Sequence, residues 1–178
     1  MAGRLRDVGA LGTASATAET VDLGPPHAPK EESLRAFAEV ESDLKRELLR
    51  LRHTYQSKFF HQISKYRVEH LFKHEPEYFA LAAELSDPEL AGFNLSNSNG
   101  GGEDLEAVRV AASAYGIHLF GKVRIPALSD KYLHVRVFVS DEPAKLHCIH
   151  TEERDEPGGG KTFRAIFGKD DALEWFDT

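Results

Sequence analysis

Three closely spaced residues carry the side chains that metal chemistry would need. Imidazole and thiolate groups are the usual zinc ligands, and the chain has them at His147, Cys148 and His150. On a β-strand Cys148 and His150 would face one side and His147 the other, so only two ligands would converge, which is too few for zinc. His118 and His134 could complete a site only if their strands lay nearby. We therefore predict that Cys148 is a small core residue and that the protein has no metal or other cofactor.

The segment from Glu156 to Thr162 resembles a phosphate-binding loop, because three glycines precede Lys161 and a hydroxyl residue follows it. That loop needs a glycine at position 155, where this chain has Asp155, and it needs a helix after it, where the sequence predicts a strand. Cys148 would lie in the middle of a strand rather than in a cleft beside a histidine, which disfavours nucleophilic catalysis. We therefore predict a hairpin loop and no enzymatic activity.

Charge and composition narrow the class of protein. The 178 residues include 22 Lys and Arg against 29 Asp and Glu, a net charge of −7, and 41% of them are hydrophobic. Such a chain can form one domain with a core. Its negative charge argues against a dedicated nucleic-acid binder and permits a basic protein partner. A single cysteine excludes an internal disulfide, and no apolar run approaches the roughly 20 residues of a membrane span.

Residues 1–30 predict a disordered tail, because they hold few large apolar side chains. Arg4 and Arg6 before a run of Ser, Thr and Ala would also suit a mitochondrial transit segment. Asp7 and Glu19 weaken that alternative, because such segments are poor in acids.

Residues 31–72 predict one long helix, since no Pro or Gly interrupts the chain from Glu31 to Glu75. Apolar residues recur at alternating intervals of three and four, with Glu41 as the one polar interruption. A helix of about 40 residues would be about 60 Å long and needs a surface to lie on, so we predict a homodimer of these helices. The alternative is a helix folded back on the chain's own sheet. The predicted dimer seam consists of Leu34, Phe37, Leu44, Leu48, Leu51 and Tyr55.

The remaining residues, 73–178, predict an α+β domain. A short helix at 75–85 is followed by a capped turn near Asp87, and 104–114 has the pattern of a further helical turn. Period-two alternation then predicts an antiparallel meander with one covered face. We place its four strands at 117–125, 132–140, 145–151 and 161–167, and a final short helix at 170–176.

Acidic and basic residues are segregated within this domain. Acids cluster in the predicted loops and the last helix, which suits an acidic rim offered to a basic partner and equally suits ordinary solvated loops. The first two strands instead carry Lys122, Arg124, Lys131 and Arg136, which could bind a phosphate backbone or an acidic protein. The acidic candidate contacts are Glu152, Glu153, Asp155, Glu156, Asp170, Asp171, Glu174 and Asp177.

Five short motifs follow one another along residues 31–178. They are Phe59-Phe60, Glu-Pro-Glu-Tyr-Phe at 75–79, Asp-Pro-Glu-Leu at 87–90, Lys-Tyr-Leu-His-Val at 131–135 and Ala-Leu-Glu-Trp-Phe at 172–176. With the long helix, their order resembles the nucleosome assembly protein / SET family of histone chaperones. The chain departs from that family at 140–143 and 166–169, and the family's acidic C-terminal tail has no counterpart in these residues. The resemblance is therefore to a divergent member or to a shortened form of one.

The resemblance implies a nuclear histone chaperone, with shuttling to the cytoplasm as an option, that dimerises through antiparallel long helices. Residues 73–178 would bind core histones, with carboxylates shielding histone Lys and Arg until deposition. We expect no sequence-specific contact with nucleic acid and no membrane contact. One alternative is a structural adaptor, a coiled-coil dimer with an α+β head in a multiprotein assembly. The other is a small α+β enzyme on a cystatin-like or related scaffold, with a metal at His147, Cys148 and His150.

Overall fold

The computed structural model describes residues 21–66, 77–96, 102–141 and 143–177, with helix side chains described as far as Gln56. The fold is α+β, with one long helix packed on an antiparallel sheet. The helices are α1, Glu31–Tyr66, and α2, Asp87–Leu90, with a 3-10 turn at Ala80–Ala82 between them. The strands are β1 Leu105–Ser113, β2 Gly116–Arg124, β3 Lys131–Val139, β4 Lys145–Ile149, β5 Glu152–Asp155, β6 Lys161–Arg164 and β7 Phe167–Gly168.

The apolar stripe of α1 packs on the chain's own sheet. Phe37, Leu44 and Leu48 are fully buried in one cluster with residues of β1, β2 and β3. The other three residues of the predicted dimer seam, Leu34, Leu51 and Tyr55, pack against the same cluster. Phe37, Leu44 and Leu48 are therefore not available for a seam between two copies, because the sheet already supplies their apolar environment. For the half-buried Leu34, Leu51 and Tyr55 the seam stays a prediction. The folded-back alternative is the one that the structure has.

Glu41, the polar interruption in the helical stripe, has a specific partner in the loop that follows α2. Its Oε2 accepts a hydrogen bond from the backbone N–H of Leu95 at 3.1 Å and another from the Ser96 hydroxyl. Its Oε1 pairs with Lys45 Nζ at 2.6 Å. These contacts hold the pKa of Glu41 below its usual value against the opposing effect of burial. The acid thus fastens a loop to the helix, which explains a charge at an otherwise apolar position.

The main sheet has the order β1-β2-β3-β4, and all neighbouring strands are antiparallel. Strand β7 pairs with the first two residues of β3, and β5 and β6 form a separate hairpin. The predicted strands at 117–125, 132–140 and 145–151 correspond to β2, β3 and β4. The prediction of a fourth meander strand at 161–167 is wrong, because β6 pairs with β5 and β1 takes the remaining place.

Strand β1 occupies residues that the sequence assigned to a helical turn. Leu105 and Val108 both point into the core beneath α1, a spacing of three that imitates a helix. The pairing of β1 with β2 shifts register between Leu105 and Ala107, and this bulge puts the two side chains on the same face. Ala111, three residues further on, lies in the cluster on the opposite face, as strand alternation requires. The prediction of a helix at 104–114 is therefore wrong.

Gly121, in the middle of β2, lies directly beneath the Phe37 ring of α1. A methyl group at this position would overlap the ring and would also touch a methyl group of Leu105. The absence of a side chain at Gly121 therefore lets the helix approach the sheet closely at this point.

The segment 21–30 covers the outer edge of β1. The backbone N–H of Gly24 donates to the carbonyl of Val110 at 2.8 Å, and His27 and Val108 exchange hydrogen bonds of 3.0 and 2.9 Å. The prediction of a disordered tail is therefore wrong from residue 21 onward, because these residues protect an edge strand. Residues 1–20 lie outside the described part of the chain.

The turn predicted at Asp87 is confirmed as α2, which begins with a capping box between Ser86 and Glu89. Arg52 of α1 is buried beside it, pairs with Asp87 at 3.3 Å and donates to the carbonyls of Ala82 and Leu85. Arg52 therefore attaches the segment around residues 82–87, which lies between α1 and the sheet in the sequence, to the long helix.

Several predicted features fall outside the described residues, among them residues 67–72 of the long helix, the Phe59-Phe60 side chains and the Glu75-Pro76 pair. No helix in the described ranges has the length and apolar character that crossing a membrane requires.

Candidate functional site

The sheet face opposite α1 is covered by residues 169–177, which we call the C-terminal strap. Within the strap Leu173 and Phe176 are buried against Phe120 and Cys148 of the sheet. The strap has no helix or strand, so the prediction of a short helix at 170–176 is wrong. The prediction of one covered face is also wrong, since β3 is buried on both sides from Tyr132 to Val137.

Three cations of the sheet hold the strap by its main chain. Arg109, Lys122 and Arg136 project from neighbouring strands β1, β2 and β3 onto the covered face. Their donated bonds replace the internal hydrogen bonds that a helix would have made, which is the physical reason why the strap is irregular. The bonds run from Lys122 Nζ to the carbonyls of Lys169 (2.5 Å) and Asp171 (2.9 Å), from Arg109 Nη1 to that of Leu173 (2.7 Å), and from Arg136 Nη1 to that of Phe176 (3.1 Å).

Trp175 covers the guanidinium group of Arg136, with 4.5 Å between the guanidinium carbon and the ring centroid. Its ring also lies 5.0 Å from that of Phe120 and 5.8 Å from that of His118. Asp177 completes the arrangement, because its carboxylate pairs with Arg136 at 2.6 Å and accepts from the Trp175 indole at 3.0 Å. A charge that is almost fully buried is thereby paired and stacked.

Two buried histidines lie beside these cations, and both are neutral near pH 7. Burial and the nearby Arg136 lower the pKa of His118 to about 4, and burial and Lys122 lower that of His134 to about 3. Among the described residues, four buried side-chain nitrogens have no hydrogen-bond partner. They are His118 Nε2, His134 Nε2, Arg136 Nε and His150 Nδ1.

A pocket of about 350 Å³ opens where the strap meets hairpin β5–β6. One wall consists of aromatic rings, with Phe167 stacked on His134 at 4.2 Å and on His150 at 5.0 Å between ring centroids, and with His150 stacked on Phe176 at 4.4 Å. Burial lowers the pKa of His150. The remaining lining includes charged residues of the hairpin and strap, Glu152, Arg154, Arg164, Asp171 and Glu174.

Arg164 joins the hairpin to the strap. Its guanidinium group pairs with Glu152 and donates to both carboxylate oxygens of Asp171 at 3.0 Å. Glu152 also pairs with Arg154 at 2.9 Å, and Glu153 pairs with Lys161 across the hairpin. These contacts show that four of the eight acidic candidates, Glu152, Glu153, Asp171 and Asp177, are already neutralised within the protein.

The other four acidic candidates are Asp155 and Glu156 on the hairpin and Asp170 and Glu174 on the strap. All four are exposed, and within the described residues none of them lies in an ion pair. Arg164 joins the hairpin that carries two of these carboxylates to the strap that carries the other two. The structure therefore divides the predicted acidic set into a paired and an unpaired half.

Cys148 is a buried residue of the second core cluster, as predicted from the sequence. Burial raises its pKa to about 11, so the group is a thiol near pH 7 and a poor nucleophile. In the part of the chain that the structure describes, no three His, Cys, Asp or Glu side chains are grouped so that they could hold a metal ion. The segment 156–160 forms the turn of hairpin β5–β6, as expected from the sequence.

Sequence reasoning missed the covered basic face. A signal was present, since His118, Phe120 and Lys122 alternate with apolar residues on β2, as His134, Arg136 and Phe138 do on β3. Polar residues on one side of a strand usually face solvent, and nothing in this pattern indicates a segment that covers them. A comparison of the chain with models of protein families, with curated proteins and with solved structures finds no match.

Proposed function

We propose that the protein is a non-catalytic histone-binding module of the chaperone type that acts in the nucleus. The observation that carries the proposal is that Asp155, Glu156, Asp170 and Glu174, on the hairpin and the strap, are exposed and unpaired among the described residues. Residues 152–177 contain eight acids and four bases, so most of the chain's net charge of −7 lies in this region. A surface of this kind suits a basic protein partner.

The mechanism would be electrostatic shielding of histone Lys and Arg side chains. Each exposed ion pair contributes only about 0.2–1 kcal/mol, so several must act together. Because such contacts are screened by salt, we expect affinity to fall as ionic strength rises through the physiological range. The paired acids contribute less, since engaging them would first require breaking their bonds to Arg164, Lys161 or Arg136.

The test is sedimentation of the full chain with core histones at low and moderate salt. We expect a salt-sensitive complex that is lost when the unpaired acids are neutralised by Asp155→Asn, Glu156→Gln, Asp170→Asn and Glu174→Gln. A matched control neutralises four exposed acids elsewhere, Glu31, Glu32, Glu77 and Glu84, and should leave binding intact. Equal loss in both sets, or binding that salt does not change, would contradict the proposal.

The structural adaptor is the second candidate, and the packing of α1 weakens a coiled-coil dimer for it as much as for the chaperone. The helix face that would have formed a chaperone-like dimer seam lies against the chain's own sheet. An adaptor would bind one specific protein and ignore histones. The same sedimentation experiment therefore separates the two functions.

We propose that a homodimer, where it forms, uses the edge of β4. A groove of about 500 Å³ lies between this strand and α1, and the helix lines it with Asp43, Arg46, Glu47 and Arg50. These charges alternate in sign along the helix and are paired within it, Arg46 with Asp43 and Arg50 with Glu47. An antiparallel second copy would oppose each acid with a base and would exchange these pairs for pairs between copies. Reversing Arg46 and Arg50 to Glu should shift the sedimentation coefficient to that of a monomer. A dimer that survives this change would exclude the groove.

A further inference from the structure

The sheet face beneath the C-terminal strap already holds a peptide, which is part of the chain itself. We propose that this face is a binding surface for an acidic segment with aromatic side chains in another protein, and that the C-terminal strap is its internal competitor. This goes beyond histone binding, because it concerns the basic side of the sheet and an acidic partner.

The first argument is the way in which the face holds the strap. Arg109, Lys122 and Arg136 donate to carbonyl oxygens spaced along the strap from 169 to 176. Every peptide has such carbonyls, so these bonds can position any extended chain. Selectivity would come from side chains, since Asp177 pairs with Arg136 and Trp175 stacks on the same guanidinium group. The strap therefore displays the ligand chemistry, an acid next to aromatic rings.

The second argument is that the strap leaves polar atoms of the face without partners. The Nε2 atoms of His118 and His134 and the Arg136 Nε are buried and unbonded among the described residues, while His118 Nδ1 is bonded to Arg136 Nη2 at 3.2 Å. Arg136 and His134 are each 2% exposed with the strap in place, so solvent does not supply the missing partners in this arrangement. Buried polar groups are normally hydrogen-bonded, and unsatisfied ones oppose the closed arrangement. A segment with polar atoms facing these nitrogens would bind better than the strap does.

The third argument is that the strap can leave without unravelling the sheet. Every strand of the main sheet, β7 included, precedes the strap in the sequence. The strap is held by side chains and by the burial of Leu173 and Phe176, with no ladder of its own. Segments without secondary structure generally open at a lower free energy than the sheet beneath them.

The experiment uses the full chain and a labelled nine-residue peptide with the sequence of residues 169–177. Fluorescence anisotropy measures its affinity for the wild type and for Phe176→Ala, which weakens the internal strap. A bound strap blocks the face, so the apparent affinity for the peptide is the intrinsic affinity multiplied by the fraction of molecules in which the strap is open. We therefore expect binding to Phe176→Ala to be about tenfold tighter or more. Adding Arg136→Gln to that variant, or replacing the two aromatic residues of the peptide with alanine, should reverse the gain.

A second measurement uses the wild type, in case Phe176→Ala does not fold. Trp175 is the only tryptophan of the chain, so its emission reports the position of the strap. An unlabelled peptide with phenylalanine in place of this tryptophan should displace the strap, shift the emission to the red and increase quenching by acrylamide, all to saturation. An emission that does not change at any peptide concentration, or equal affinity of the wild type and Phe176→Ala, would overturn the proposal.

Discussion

The substitution Leu48→Ala tests whether the long helix packs on its own sheet or on a second copy. Leu48 is fully buried in the cluster beneath α1. Removing three carbon atoms from such a site costs their transfer free energy, about 2 kcal/mol at roughly 0.8 kcal/mol per methylene, and leaves a cavity that adds to the loss. We expect the free energy of unfolding to fall by about 3 kcal/mol, within the range of about 2–5 kcal/mol for buried Leu→Ala changes.

The assay is urea unfolding followed by circular dichroism at two protein concentrations about a hundredfold apart. If the helix packs within the chain, the loss is the same at both concentrations and neither midpoint depends on concentration. The control is Leu81→Ala, because Leu81 is 55% exposed and its truncation should cost less than about 0.5 kcal/mol. A wild-type midpoint that rises with concentration, together with a Leu48→Ala midpoint that does not, would refute the packing described above and restore the helix to a dimer seam.

Three further predictions concern other parts of the fold. Gly121→Ala should destabilise the protein by about 1–3 kcal/mol, since the new methyl group overlaps the Phe37 ring, and Phe37→Leu in the same chain should recover part of the loss in urea unfolding. Arg52→Met should cost about 2–3 kcal/mol in the same measurement, because it removes the donor to the Leu85 carbonyl and one of two donors to the Ala82 carbonyl, whereas Arg46→Met on the exposed face should cost almost nothing. His134 has its pKa lowered to about 3 in the folded protein, so the unfolded state binds more protons from about pH 6.5 downward and stability is lost as the pH falls toward 3. The loss has an upper limit of roughly 4–5 kcal/mol at 1.36 kcal/mol per pH unit, and calorimetry of His134→Phe should show a shallower decline with pH than the wild type.

The sequence predicted those elements that depend on interactions between residues close together in the chain. The helix start after residue 30, the turn at Asp87 and strands β2 to β4 follow from spacing and capping alone. The failures share one cause, which is that a distant part of the chain supplied the partner. The apolar stripe of α1 could be buried equally well against a second helix or against a sheet. Nothing in the sequence distinguishes these two packing partners.

The same cause accounts for the missed site. The residues at 104–114 imitate a helix because a bulge changes which side chains share a face, and a bulge is defined by the neighbouring strand. The strap would suit a helix by its acids and apolar spacing, but Arg109, Lys122 and Arg136 take up its carbonyls instead. Asp177 is paired with the distant Arg136, and the other three paired acids meet bases of the hairpin that only its folding brings opposite them, so charge counting identified the region but not the usable carboxylates.

The close contact between Phe37 and Gly121 has a consequence for tracing the ancestry of this chain. An aromatic ring in the second turn of the helix and a missing side chain in the middle of a strand are two halves of one steric fit. Because a change at position 37 or 121 calls for a compensating change at the other, the two positions should vary together in evolution, while surface positions should vary independently. Distant relatives that no longer share recognisable overall similarity should still show this coupled pair, and it offers a two-position signature with which to look for them.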